Sequence, residues 1–500
     1  MQATRRQFLE GAVGGALALG ALSQLRPVRA EEARLNPSLV KLDDGIEPTV
    51  RLLEETPRER VIEQVADRIK KGMSYRELLA ALLLAGVRNV QPRPQVGFKF
   101  HAVLVINSAH LASLASPDSD RWLPILWAID RFKSAQIETQ TTSGWRMGAV
   151  NENKVPAGAE VRQAFIDAMD KWDEEAADAA AAGLARYLGR DECFELFARY
   201  GARDWRDIGH KAIYVSNSFR TLECVGWHNA EPVLRSLAYA LLKYDGQNPS
   251  KADDDADRPG RQNAERIKKV RPAWQDGKPS PAATEHLLSA FRTASVSDAP
   301  DAVVEALNDG VSVNSIWDAI LCSAGELLMR KTNILTLHAV TSANALRFAF
   351  EASGPPQTRL LLLLQNAAFL PLFRDAVGRK NLSSARVDEF EPKAVSEKQD
   401  GLGEIFTEIS TSRPEAARKA LGWLQQAGRA EDLMHTARRL VFLKGTDAHD
   451  YKFSSAVLED YYHLSPKWRD RFLATSFFYL PGTGAPDNKL VQRIRAALGE

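Results

Sequence analysis

The sequence predicts an all-α protein made of two diverged, pseudo-repeated helical halves. Apolar residues recur with helical spacing along most of the chain, alternating strand-like runs are few, and segments on either side of a polar stretch match each other. The 500 residues are 45% hydrophobic, which suffices for two or three packed domains and excludes disorder as the main state. A net charge of +1, without a basic stripe, predicts no nucleic-acid partner.

The first thirty residues predict an export signal. Residues 4–9 (TRRQFL) match the twin-arginine pattern, and the Gly/Ala-rich run over 11–25 is too short and weakly apolar for a stable membrane span. We therefore expect residues 1–30 to engage the twin-arginine translocase, with cleavage after Ala30 and a periplasmic location. The alternative is an amphipathic N-terminal helix of a cytoplasmic protein. Because this translocase moves folded proteins, often with a cofactor inserted, export favours a bound metal or redox group.

Helical periodicity marks the elements of the mature chain. Thr56 is followed by Pro-Arg-Glu and Ser412 by Arg-Pro-Glu, and both sequences are typical of a helix start. The most strand-like stretch, residues 212–215, is short. The segments with apolar residues at 3.6-residue spacing are 61–69, 75–85, 164–172, 176–188, 233–242, 316–328 and 360–372.

A polar stretch divides the mature chain. Residues 246–283 contain the acidic run 253–255 and several prolines, a composition typical of a linker or a long surface loop. The predicted organisation is a first helical half over 31–245, this linker, and a second helical half over 284–500.

Matching histidines support the duplication. His101 and His338 each begin a His-Ala-Val sequence, 29 and 28 residues after Gly72 and Gly310. His210 and His449 each lie 21 residues after a Gly-Arg pair. The halves are thus predicted to superpose His101 on His338 and His210 on His449. Chance similarity among Ala- and Leu-rich helices is the alternative.

These four histidines are also the candidate metal ligands. The sequence contains no phosphate-binding loop, no G-x-S-x-G elbow and no H-E-x-x-H helix, so the chemistry is sought among histidines and carboxylates. His101 and His338 lie in apolar sequence and are predicted to be buried, whereas His210 and His449 follow aspartates that can orient an imidazole. Imidazole-rich sites suit Fe, Cu or Zn. Core histidines satisfied by backbone carbonyls are the competing interpretation.

Geometry limits which histidines can share a metal. His110 lies nine residues after His101 and would point to the opposite side of a common helix, so a site must gather single histidines from several helices. Additional candidates are His228, Glu231 and His435. The three cysteines, Cys193, Cys224 and Cys322, are too few for a disulfide scaffold, although they allow one disulfide and one thiol.

Three patches resemble the questin oxidase-like family. The first patch is Gly209-His210-Lys211-Ala212-Ile213, followed by Glu223 and residues 232–240. The second is residues 337–342 (LHAVTS), and the third is His435 with residues 438–440. Two departures stand out: Tyr214 or Val215 occupies the place of a second histidine, and His101 lacks the neighbouring Asn-His. The resemblance implies a helical oxidoreductase performing Baeyer–Villiger-like or ring-cleaving oxidation of aromatic ketones, with NADPH as electron source. An exported protein would not readily meet that cofactor.

Two hypotheses follow for function. In the first, an exported oxidoreductase holds a metal and an aromatic or hydrophobic small-molecule substrate in a His-lined pocket between the halves. His210 and His338 then serve as ligands or general bases, and Glu223 as proton acceptor. In the second, a non-catalytic helical-repeat protein binds a partner in a groove, and its histidines are structural.

Overall fold

The predicted all-α class is confirmed in a computed structural model. It describes residues 40, 42–43, 45–93, 96–97, 99–242, 248–395, 401–426 and 429–499. Within these ranges the chain forms α-helices and short 3₁₀ helices but no strand, and isolated β-bridge residues occur at Gly148 and in the pair Lys278 and Val311. The predicted signal peptide, residues 1–30, lies outside the described residues.

Helices α1 to α11 precede the polar stretch and α12 lies within it. Their bounds are α1 Glu47–Glu55, α2 Arg58–Lys70, α3 Tyr75–Asn89, α4 His101–Leu104, α5 Ile106–Leu114, α6 Leu123–Thr142, α7 Val161–Lys171, α8 Glu174–Tyr187, α9 Arg190–Gly201, α10 His210–Val225, α11 Ala230–Leu241 and α12 Arg258–Arg266.

The remaining helices form the C-terminal part. Their bounds are α13 Pro281–Phe291, α14 Asp298–Asn308, α15 Val313–Arg330, α16 Ile334–Ala352, α17 Pro356–Val377, α18 Gly401–Glu408, α19 Arg413–Gln425, α20 Ala430–Lys444, α21 Ala448–Asp460, α22 Pro466–Thr475 and α23 Lys489–Leu498. The 3₁₀ helices are Asp118–Asp120, Glu152–Lys154, Gly158–Glu160, Arg206–Gly209, Trp227–Asn229, Ile267–Lys269, Trp274–Asp276, Arg379–Asn381, Tyr461–His463 and Ser476–Phe478.

Equivalent helices of the two predicted halves begin in the same way. Ser74 caps α3 by accepting a hydrogen bond from the backbone N of Glu77, and Ser312 caps α15 by accepting one from the backbone N of Ser315. Two residues before each serine stands a glycine with positive φ, Gly72 at 100° and Gly310 at 81°. These local similarities agree with a duplication, and the superposition of whole halves stays a prediction.

Two local expectations from composition differ from the structure. Residues 212–215, the most strand-like stretch, lie inside α10, where all four side chains are buried and hydrophobic burial overrides β-propensity. The polar stretch 246–283 also contains the helix α12, which packs against α17. There the side chain of Asn263 donates a hydrogen bond of 2.7 Å to Gln365, so this stretch is tied to the core.

Helix α17 is long and apolar enough to cross a membrane, judged by length and composition among the described helices. It is packed as a core helix, because 83% of its most apolar window is buried inside the protein. Its burial between neighbours accounts for its composition.

Helices from both predicted halves meet at the centre. Helix α10 packs against α16, and α16 packs against α17 and α21. Helix α5 lies against both α10 and α21. These contacts bring the first turns of several helices to one point, where the candidate site lies.

Candidate metal centre

Four histidines from four helices converge in the core. His101 and His210 are the first residues of α4 and α10, His449 is the second residue of α21, and His338 is the fifth residue of α16. One ring nitrogen of each lies within 4.8 Å of the others. Nε2 of His210 is 3.1 Å from Nε2 of His101 and 2.9 Å from Nε2 of His338. The structure thus brings together the four histidines that the sequence paired.

Backbone carbonyls fix the tautomers of two of these rings. Nδ1 of His210 lies 2.6 Å from the carbonyl oxygen of Asp207, and Nδ1 of His338 lies 2.6 Å from that of Ile334. A carbonyl oxygen only accepts, so each Nδ1 carries the proton, and Nε2 of each neutral ring is an acceptor. The 2.9 Å contact therefore places two lone pairs face to face, an arrangement that a cation between them would stabilise.

The fourth ring is oriented by a carboxylate. Oδ1 of Asp447 accepts hydrogen bonds from both the backbone N and Nδ1 of His449. Nε2 of His449 is consequently left as an acceptor, and it is buried without a hydrogen-bond partner among the described residues. A carboxylate on the far nitrogen of an imidazole is a common support for metal-ligating histidines.

Burial keeps the four rings neutral. Loss of solvation is the largest cause that lowers the pKa of each histidine, well below its usual value for His101, His210 and His338. The charge of Lys452 acts in the same direction on all four rings. The positive ends of the α10, α16 and α21 dipoles also oppose protonation. A proton shared between two of these rings is thus disfavoured. The neutral imidazole is the form of histidine that binds metals.

Two further polar side chains on α21 are buried, Lys452, whose charge acts on all four rings, and its neighbour Tyr451. Lys452 lies three residues after His449 on α21, and burial lowers its pKa to about 7. Its Nζ and the hydroxyl of Tyr451 have no hydrogen-bond partner within the described chain. Buried polar atoms that lack a partner mark a place where a ligand or an ion adds the missing interactions.

The backbone around His210 packs closely against its ring and has an unusual conformation just before it. A Cβ built on Gly97 would lie 2.6 Å from Cε1 of His210, so only glycine fits there. Asp207 and Ile208 just before the ring have φ values of 54° and 50°. Left-handed conformations in non-glycine residues, above all a β-branched one, cluster at functional sites.

The separations match metal–imidazole chemistry. Bonds of about 2.0–2.1 Å place neighbouring ligand nitrogens about 3.3 Å apart in a tetrahedron and about 2.9 Å apart in a square plane. The Nε2 separations of 2.9 and 3.1 Å lie in this range, and ligand atoms separated by up to 4.8 Å would have to move closer together around a bound ion. Four neutral imidazole donors suit Fe, Cu or Zn better than Mg or Ca.

The two glutamates expected near the site lie elsewhere. Glu223 is thirteen residues beyond His210 on α10, about 20 Å along the helix. Its half-exposed side chain pairs with Arg190. Glu231 forms a 2.8 Å ion pair with Arg186. Both carboxylates satisfy surface arginines, so the structure does not bring Glu223 to the cluster as a proton acceptor.

The additional histidine candidates are also separate from the cluster. His110 hydrogen-bonds to Tyr75 and Cys224, each at 3.2 Å, on the outer side of α5. His228 contacts Asn229 in a 3₁₀ turn, and His435 lines a surface pocket of about 550 Å³. Cys193, Cys224 and Cys322 are all free thiols.

Comparison with protein-family models, curated proteins and solved structures finds no match to this chain.

Sequence reasoning missed the groups that surround the ligands. Lys452 was signalled only by its spacing from His449, since i and i+3 residues share a helix face, whereas Tyr451, two residues after His449, had no such signal. Asp447 was identified as an orienting carboxylate, and it has that contact. For His210 the orienting group is the carbonyl of Asp207 instead of its carboxylate.

Proposed function

We propose that the protein binds one transition-metal ion between His101, His210, His338 and His449, as the centre of an oxidoreductase acting on an aromatic or hydrophobic small molecule. The observation that carries the proposal is that the Nε2 atoms of His210, His338 and His449 are acceptors, because their protons are held on Nδ1, and that one nitrogen of each of the four rings lies within 4.8 Å of the others. Pure core histidines gain nothing from facing lone pairs, whereas metal ligands require them.

The redox part of the proposal rests on the donor set and on the family resemblance. Four imidazoles without a ligating carboxylate suit iron and copper as well as zinc, and the first two supply one-electron chemistry when bound. Lys452, whose charge acts on all four rings, offers an N–H donor beside the centre. NADPH as electron source is implied by the resemblance alone and stays a prediction.

Metal analysis of the purified protein tests the binding. We expect about one Fe, Cu or Zn ion per chain, lost in His338→Ala and retained in the control His286→Ala, which changes an exposed histidine. The His338→Ala change should cost a few kcal/mol of stability, about that of a buried truncation. If His338→Ala unfolds, His449→Ala at a half-buried ring replaces it. A wild-type protein that holds no metal after loading with each ion contradicts the proposal.

A turnover assay tests the chemistry separately. The metal-loaded protein is mixed with aromatic ketones and NADPH, and oxygen and NADPH consumption are followed. We expect turnover by the wild type and by His286→Ala, and none by His338→Ala. Metal binding without turnover on any aromatic substrate would reject the oxidoreductase while leaving the metal site.

One observation favours a second candidate, a closed metal site in a non-catalytic helical-repeat protein. Three of the four rings are buried, and none of the four lines any of three pockets of about 450, 250 and 550 Å³ on the described part of the chain. Four protein ligands and no open position are typical of structural metal sites. Azide added to the copper-loaded protein distinguishes the two: a new charge-transfer band indicates an open position, and an unchanged spectrum a closed one.

A further inference from the structure

A pocket of about 450 Å³ shares the start of α21 with the four-histidine cluster. Its lining includes Thr446, the residue before the Asp447 that holds His449. It also includes Trp127, whose ring stacks on Tyr451 with centroids 4.3 Å apart. Thr446 and the Trp127–Tyr451 stack thus connect the pocket to the helix that carries His449.

One lining arginine lacks a carboxylate bound to it. Arg58 forms hydrogen bonds of 2.9 and 2.7 Å to Asp130, and Arg493 forms two of 2.8 Å to Glu63. Arg131 forms no such hydrogen-bonded pair in the described chain, although its charge acts on the Asp447 carboxylate, and its Nε is buried without a hydrogen-bond partner. A half-buried guanidinium with a missing acceptor calls for an anionic oxygen from a ligand.

The pocket also has two apolar side chains in its mainly polar lining. Trp127 and Leu490 line it beside Arg131, and its volume is in the range of small-molecule sites. We propose that this pocket binds an aromatic carboxylate, with the carboxylate on the Arg131 guanidinium and the ring beside Trp127 and Leu490. Its designation as the substrate of the neighbouring centre rests on the proposed oxidoreductase function.

Charge balance favours a carboxylate over a phosphate. Asp130 and Glu59 also line the pocket, and they oppose a dianion more strongly than a single negative charge. One unpaired guanidinium fork matches the two oxygens of one carboxylate. Thr446 is a further polar residue of the lining.

Calorimetric titration with 2-naphthoate and with the neutral 2-naphthylmethanol tests the proposal on the full chain. We expect 2-naphthoate to bind the wild type more tightly than the alcohol, and increasingly so at low ionic strength. Arg131→Gln should weaken naphthoate binding about tenfold or more and leave the alcohol unchanged. The matched control is Arg439→Gln, which changes an arginine lining a different surface pocket and should alter binding by less than about twofold.

A second variant covers the case in which Arg131→Gln does not fold. Leu490→Glu removes part of the ring contact and adds a carboxylate, so it should weaken naphthoate binding more than it weakens alcohol binding. Equal affinity for acid and alcohol, or full naphthoate affinity in both variants, overturns the proposal.

Titrating the metal-free protein separates this inference from the proposed function. If the protein never binds metal but binds naphthoate in a way that depends on Arg131, the pocket is supported and the proposed metalloenzyme is rejected. If the wild type binds metal and His338→Ala does not, but the wild type does not bind naphthoate, the metal site is supported and the pocket proposal is rejected.

Discussion

Asp447 is the residue on which the orientation of His449 depends. Its Oδ1 accepts two hydrogen bonds, from the backbone N at the start of α21 and from the ring Nδ1. Burial alone would raise the pKa of this carboxyl, but the hydrogen bonds from His449 outweigh it and, aided by the charge of Arg131, lower the pKa to about 2. The carboxylate is therefore ionised when it holds the ring.

Asp447→Asn should weaken metal binding about 10- to 100-fold, because an amide no longer fixes the proton on Nδ1 as strongly. The measurement is competition with a chelator of known affinity. Asp432→Asn at the exposed start of α20 is the control, and it should leave the affinity unchanged. Unchanged affinity in Asp447→Asn would show that His449 is not a ligand.

At the scale of elements, α10 is held by a buried ion pair directly after His210. Nζ of Lys211 lies 2.9 Å from Asp204, and neither side chain has any exposed surface. Asp204 precedes the left-handed residues 207–208, so this pair spans the strained turn that aims the His210 ring. The pair thus links the conformation of the turn to the helix that follows it.

Asp204→Ala should reduce the free energy of unfolding by about 3–5 kcal/mol, because it leaves the Lys211 charge buried without a partner. Urea unfolding followed by circular dichroism gives the value. The double variant Asp204→Leu with Lys211→Met should recover most of the loss, since neither charge then remains in the core. A single variant as stable as wild type would mean that water reaches Lys211.

At the scale of the whole molecule, the site lies where helices of both predicted halves meet. His101 and His210 come from one half, and His338 and His449 from the other. Such a site ties together segments far apart in sequence, so a bound metal should stabilise the whole fold by mass action. Removal of the metal is expected to lower the melting temperature of the entire chain in one transition.

The metal-free protein should lose stability in acid. The folded pKa values of the four histidines are lowered, so below the unfolded value near 6.5 the unfolded chain binds more protons. Each histidine then removes up to about 1.4 kcal/mol per pH unit until the pH passes its folded pKa. Urea unfolding between pH 7 and 5 measures this.

The matched variant for that experiment is His338→Ala. It has one titrating ring fewer, so its stability should fall with a slope smaller by about one proton. Equal slopes in wild type and variant, or stability that is independent of pH in this window, would contradict a neutral buried cluster.

The sequence by itself determined the helical class and much of the candidate site. Apolar spacing of 3.6 residues appears in the residue order, and cap residues such as Ser74 and Ser312 act within one helix turn. The register of the four histidines between the halves is likewise a matter of counting. These features need no knowledge of which helices touch.

Only the tertiary structure decided which polar groups share the site. Glu223 and His210 occupy one helix, yet the helical rise places the glutamate at a surface arginine. The pKa of Lys452 is lowered because helices from distant parts of the chain bury its side chain. The same kind of packing leaves Nε of Arg131 without an acceptor. Which polar side chains are buried, and which groups they contact, depends on how the helices pack. Spacing along the sequence carries no information about this.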